Sequence, residues 1–157
     1  MSRIDLSRTN RTGYAAVLGM EAYARTHVDP QLYELIKLRA SIVNGCGFCV
    51  DMHATEGAAR GIPARVLHAV AAWQHAGELL DPRQRAVLAL TDAVTALGPA
   101  SVTDEIWADA AQHLTEKQLG SIVLTIATIN VWNRIAISTG MTPPVDAKHP
   151  IAPPAAS

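Results

Sequence analysis

Cys46, Cys49 and His53 stand close enough together in this chain to share one reaction. The spacing is Cys-x-x-Cys with three further residues before the histidine, and Gly45 and Gly47 free the backbone where a helix must begin. On a helix starting near Cys46 the sulfurs lie at i and i+3. The imidazole then lies at i+4 from Cys49 and i+7 from Cys46, so all three share one face. A thiol at a helix start feels the positive end of the backbone dipole, which lowers its pKa, and only the thiolate attacks an electrophile. The imidazole can take the thiol proton, and the second cysteine can close a disulfide once the first has become a sulfenic acid. On these grounds either sulfur can be the nucleophile: Cys46 because the dipole is strongest at the helix start, Cys49 because it adjoins His53. In the second assignment Cys46, at the glycine-flanked mouth, is the exposed sulfur that an outside reductant reaches.

Other chemistries fit the same residues less well. Half of a structural zinc site is one, but such a site needs a second ligand pair, and His27, His68, His75, His113 and His149 show no paired ligand spacing. Cys46, Cys49 and His53 with one distant ligand remain a possible set. Two inert core cysteines are another reading, because free cysteine is often buried. A thioredoxin-type site needs the pair after a strand in an alternating strand and helix chain, and alternating strand patterns are nearly absent here. Glu34 joins the set as an acid in the first turns of a predicted helix, where most such residues are solvated and only favour the dipole.

The elements that must hold these residues are helical. Asp29-Pro30, Asp81-Pro82 and Thr115-x-x-Gln118 each place a capping side chain before an apolar run, with proline at the first helical position in two of them. Helices are predicted over about 14–25, 29–44, 49–60, 63–77, 81–97, 103–113 and 115–139. Helix 29–44 puts Leu32, Leu35, Ile36, Ala40 and Val43 on a core face. Helix 81–97 does the same with Val87, Leu88, Leu90, Thr91, Val94 and Leu97. The β-branched run Ile122 to Ile126 is read as helix because of its capped start and the length of its segment. Asn130, Asn133 and Arg134 are read as a buried polar network joining helices or subunits. Trp73, Trp107 and Trp132 are read as core or interface anchors, and the histidines outside the motif as surface residues. The fold class is thus all-α, a compact multi-helix domain over 1–141 with a proline-rich tail over 142–157 that cannot continue a helix.

Composition narrows the function. With 49% hydrophobic and 17% charged residues the 157-residue chain has material for a core and for an oligomer interface. A net charge of −1 leaves no cationic surface for phosphates, so nucleic acid is not an expected partner. The uncharged stretch 118–133 carries Gln118, Ser121, Thr125, Thr128, Asn130 and Asn133, costly in lipid, and reads as a buried helix rather than a membrane span. The first residues have no continuous apolar run, and two cysteines are too few for a disulfide framework, so a cytoplasmic protein is expected.

Glu34, eleven intervening residues, Cys46-x-x-Cys49, three more and His53 resemble the signature of the AhpD-like alkylhydroperoxidase branch of the carboxymuconolactone decarboxylase family. The resemblance runs from about Tyr14 to Thr139 and takes in Trp73, the helix start at Asp81, and Asn130-Val-Trp-Asn-Arg134. It implies an all-helical fold that assembles into homo-oligomers, trimers or hexamers. It also implies a thiol-dependent peroxidase that reduces a hydroperoxide with electrons from an external dithiol reductant and carries no bound cofactor. Cys49 would become the sulfenate, Cys46 would resolve it, and Glu34 with His53 would relay protons. Decarboxylase members of the family lack the cysteine pair. Peroxidase members often carry a polar residue inside the pair, where this chain has Phe48, so one proton carrier is missing.

Overall fold

The computed structural model describes residues 3–98 and 101–145. Among them no strand occurs, and the chain runs through α1 (Leu6–Thr9), α2 (Arg11–His27), α3 (Pro30–Val43), α4 (Gly47–Ala59), α5 (Ala64–Ala69), α6 (Pro82–Thr95), α7 (Asp104–His113) and α8 (Glu116–Thr139). The capping signals act as their chemistry requires. The Asp29 carboxylate accepts the backbone N–H groups of Gln31 and Leu32 at 3.1 and 3.0 Å. Asp81 with Gln84, and Thr115 with Gln118, form reciprocal capping boxes.

The predicted helix over 63–77 is not continuous. After α5 the chain tightens into 3-10 turns over Val70–His75 and Gly77–Leu79, with Ala72 outside helical geometry (φ −132°, ψ 48°). The cause lies on α3: Arg39 Nη1 takes the carbonyl oxygens of Val70 (3.2 Å) and Ala71 (2.8 Å), acceptors that a continuing α-helix would use. Two expected core residues at helix ends, Val43 and Leu97, are exposed instead, where the last turn leaves the packed layer. Trp107 is also largely exposed. The described part of the tail, 142–145, is non-helical, and its remainder lies outside the described residues.

Helix α3 is the axis of the molecule. It supplies Leu32, Tyr33 and Ile36 to a core cluster shared with α2, α6, α7 and α8, Leu35 and Leu38 to a second with α5 and α6, and Ala40 to a third with α4 and α8. A helix covered on all sides is normally apolar all round. Here Glu34, Lys37 and Ser41 are buried with it, so each needs a partner inside the protein. Gly57 lets α4 lie close: a Cβ there would sit 2.9 Å from Leu67 Cδ2 and 3.7 Å from Glu34 Cβ. Helix α8 is long and apolar enough to cross a membrane, but it packs against α2, α3 and α6, and its buried Ser121, Thr125, Thr128 and Thr139 return their hydroxyls to its own backbone carbonyls.

Candidate active site

The cysteine pair sits at the joint between α3 and α4. Gly45, at φ +68°, occupies the left-handed position that ends a helix. Its N–H reaches the Ile42 carbonyl (3.1 Å) and that of Cys46 the Ser41 carbonyl (2.9 Å), the paired bonds of a Schellman motif. Cys46 is thus both the last residue of that motif and the extended N-cap of α4 (φ −88°, ψ 90°), with Cys49 on the first turn. This turn folds Cys46 inward, so that both thiols pack among Ala40, Ile129 and Ala136, with Phe48 and Trp132 beside them. Both sulfurs are free thiols, 2% exposed, and lie side by side in one core cluster.

Two expectations are corrected here. Cys46 is not the exposed sulfur, because the turn tucks it under α8. Nor is the resting Cys49 thiol acidified by the helix start: burial, with the Cys46 thiol against it, pushes its pKa up to about 12.

Cys49 and His53 line a cavity of about 270 Å³ whose apolar wall includes Leu18, Phe48, Met52 and Trp132. Cys46 is not part of that wall. His53 is 1% exposed, and its Nδ1 lies 2.9 Å from Oε2 of Glu34, itself fully buried. The other oxygen of Glu34 accepts Nε–H of Arg60 at 2.8 Å. Burial alone would raise the Glu34 pKa, but the hydrogen bonds and charges of His53 and Arg60 outweigh it and hold the carboxyl below its ordinary value. A carboxylate that accepts a proton from Nδ1 fixes the tautomer with Nε2 as the basic atom. Nε2 has no hydrogen-bond partner and is buried. Glu34 is therefore not a solvated helix-start acid, and the spacing 34–46–49–53 becomes one connected site.

A second buried ion cluster forms another side of the same cavity. Lys37 Nζ donates to both oxygens of Glu21 (2.6 Å each) and to the Tyr33 hydroxyl (2.7 Å), while Trp132 Nε1 donates to Glu21 at 2.9 Å. The Tyr33 hydroxyl in turn donates to Glu21. Burial lowers the Lys37 pKa against the pull of Glu21. Reading the sequence missed these residues. Lys37, a lone cation between Ile36 and Leu38 on an otherwise apolar helix, carried a signal. Glu21, on a mostly exposed helix, carried none.

The polar network expected at the end of α8 is present and reaches the site. Asn133 Nδ2 donates to Ser41 Oγ (3.0 Å), Asn44 Nδ2 donates to the carbonyl oxygens of Asn133 (2.9 Å) and Asn130 (3.0 Å), and exposed Arg134 donates to Asn130 Oδ1 (2.9 Å). Asn133 lies between Ile129 and Ala136 on the face of α8 that packs on the cysteines, and its amide lowers the Cys49 pKa against the pull of burial. His27, His68, His75 and His113 are exposed, as expected, and His149 lies outside the described residues. Among the described residues, the grouping with metal-ligand proximity is Glu34, His53 and Glu56, whose ligand atoms lie within 4.8 Å of one another; the cysteines are not part of it. Arg60 on Glu34 and Arg25, 3.7 Å from Glu56, already balance its carboxylates.

With this geometry in place, the comparisons are consistent. The carboxymuconolactone decarboxylase family model matches residues 11–97, which span Glu34 to His53. The uncharacterized protein YdfG of Bacillus subtilis is 33% identical over 129 residues, 82% of this chain and 87% of its own. The chain belongs to the carboxymuconolactone decarboxylase family. A solved protein of unknown function from Agrobacterium tumefaciens, a candidate AhpD antioxidant defence protein, is 31% identical and superposes with a TM-score of 0.88 over 93% of this chain and 100% of its own. Within the family, fold and sequence place the chain in the AhpD-like branch. The debrominase Bmp8 shares the fold at 20% identity, with a TM-score of 0.73 over 88% of this chain and 74% of its own.

Proposed function

We propose that the protein is a thiol-dependent peroxidase that reduces alkyl hydroperoxides at Cys49. The observation that carries this reading is His53: its Nδ1 is held by Glu34, and its unpartnered Nε2 is buried beside the cavity that Cys49 also lines. A resting thiol with a pKa near 12 is almost wholly protonated at neutral pH, so attack requires a base that removes the proton as the peroxide arrives. His53 Nε2 takes that proton, and Glu34 stabilises the imidazolium. The Cys49 thiolate attacks the terminal peroxide oxygen, the O–O bond breaks, and the alkoxide leaves with the proton from His53 as ROH. Cys49 is then a sulfenic acid. The Cys46 thiol attacks it, water leaves and a Cys46–Cys49 disulfide forms, which an external dithiol reopens by exchange.

The buried position of Cys46 means that this reductant reaches the disulfide through Cys49 or after local opening of the joint. The same proposal includes a reducing cytoplasmic setting, no bound cofactor and a homo-oligomer, trimer or hexamer. Exposed Leu18 and Met20 on α2 and Leu124 and Ile137 on α8 support the assembly.

The test is steady-state loss of cumene or tert-butyl hydroperoxide with dithiothreitol, alongside mass measurement of the cysteine state. Turnover dependent on both cysteines is expected. A disulfide that forms with peroxide while no catalytic peroxide loss is detected would replace the peroxidase with a redox-sensing module.

A further inference from the structure

We infer that Asn133 donates an amide N–H to the Cys49 thiolate and is a further catalytic residue of the thiol chemistry proposed above, on which this inference rests. Asn133 lies on α8 one turn after Ile129 and one turn before Ala136, both packed on the cysteine pair, so its side chain faces the sulfurs. It is fully buried.

Which end of its amide meets Cys49 is decided from two directions by groups that can act in only one sense. Arg134 can only donate, and it donates to Asn130 Oδ1. That same oxygen lies 3.0 Å from the Asn44 side chain, which must present its NH₂ there and therefore also to Asn133, at 2.9 Å. Asn133 consequently turns its oxygen to Asn44. From the other direction, the backbone carbonyl of Lys37 can only accept, and it takes the Ser41 hydroxyl proton at 2.7 Å. Ser41 Oγ is thereby left as an acceptor and receives Asn133 Nδ2 at 3.0 Å. One Asn133 N–H is used on Ser41. The second has no oxygen partner, and on the face of α8 between Ile129 and Ala136 it is left for Cys49, whose thiol pKa this amide lowers.

A neutral thiol is a weak acceptor and a thiolate a strong one, so a fixed N–H at this place favours the charged form. It is set before the reaction begins and needs no reorganisation when charge develops on sulfur. The division of labour follows: His53 handles the proton, and Asn133 holds the charge left behind. Asn133 lies beyond residue 97, outside the segment the family model matches, so the site is completed by a residue from α8.

The test uses the full-length Cys46→Ser protein, in which Cys49 is the sole thiol. Thiolate absorbance and the rate of alkylation by iodoacetamide are followed against pH in that background and with Asn133→Ala added. A hydrogen bond to a charged group predicts an upward pKa shift of about one unit or more, and about tenfold slower alkylation at neutral pH. Asn44→Ala, which frees the amide to turn but leaves Asn133 in place, is expected to shift the profile in the same direction by less. Should Asn133→Ala fail to fold, the Asn44→Ala profile decides the matter. Unmoved profiles in the folded variants would overturn the inference. Alkylation uses no peroxide, so absent peroxide turnover with a shifted profile would defeat the peroxidase reading alone.

Discussion

Two of the ion clusters on α3, one around Glu34 and one around Arg39, are satisfied to different degrees. Arg39 spends four hydrogen bonds on Asp92 and the carbonyls of Val70 and Ala71, while Trp73 Nε1 adds a donor to Asp92 at 2.9 Å. That cluster is saturated. Glu34 is filled by His53 and Arg60, yet His53 keeps Nε2 unpartnered and buried. A saturated cluster fixes a kinked segment against a helix. A cluster with one unpartnered basic atom leaves that atom for a proton that comes and goes, and leaving it bare costs stability that a purely structural site would recover.

The largest expected effect separates the two clusters outright. Cys49→Ser should abolish peroxide turnover with helicity and unfolding midpoint little changed, and His53→Ala should lower turnover per folded molecule by about 10²- to 10⁴-fold. Asp92→Ala should do the reverse. Breaking a half-buried pair that also holds Trp73 should cost of order 2–3 kcal/mol in denaturant unfolding, with turnover per folded molecule retained. Full activity in His53→Ala, or none in folded Asp92→Ala, would break the contrast.

Glu34→Gln sharpens it, because this change keeps the shape and removes the charge. Turnover should fall by about 10²-fold, since an amide can hold the ring in the wrong tautomer. Its stability profile carries a sign. The Glu34 pKa is lower in the folded state, so its contribution is present above the unfolded value of 4.5 and is lost as pH falls through the depressed folded value. Acid titration of the unfolding midpoint should therefore be flatter in Glu34→Gln than in the parent below about pH 4.5.

A smaller effect concerns the resting thiol. In Cys46→Ser the raising effect of the Cys46 thiol is gone but burial still holds the Cys49 pKa above its ordinary value, so alkylation should keep rising about tenfold per pH unit from neutrality upward. A plateau near pH 7 would mean that the resting site already holds a thiolate. The smallest change is Gly57→Ala, where about 1 kcal/mol of helix propensity is set against about 1–3 kcal/mol of overpacking. The added methyl would meet Leu67 Cδ2 at 2.9 Å, and a net loss near 1 kcal/mol is expected by denaturant unfolding.

The motif was legible because its logic is local. Cys46, Cys49 and His53 lie within one turn or two, and helix spacing alone brings them to one side. Glu34 was legible only through a resemblance, because its partner His53 belongs to the next helix. Glu21 was illegible: it meets Lys37 only where α2 crosses α3, and no local pattern marks that crossing. The break after α5 was missed for the same kind of reason, since the group that draws off its carbonyls, Arg39, sits on α3.

By itself, then, the sequence determined the helices, their capped starts and the dithiol with its histidine, because capping and helical periodicity act over a few residues. Tertiary structure alone decided the rest: that Cys46 turns inward, that burial raises the Cys49 pKa, that Glu34 clamps His53, and that Asn133 comes down from α8 onto the sulfur. Burial and charge pairing depend on which helices lie side by side, and a sequence specifies that only through the whole fold.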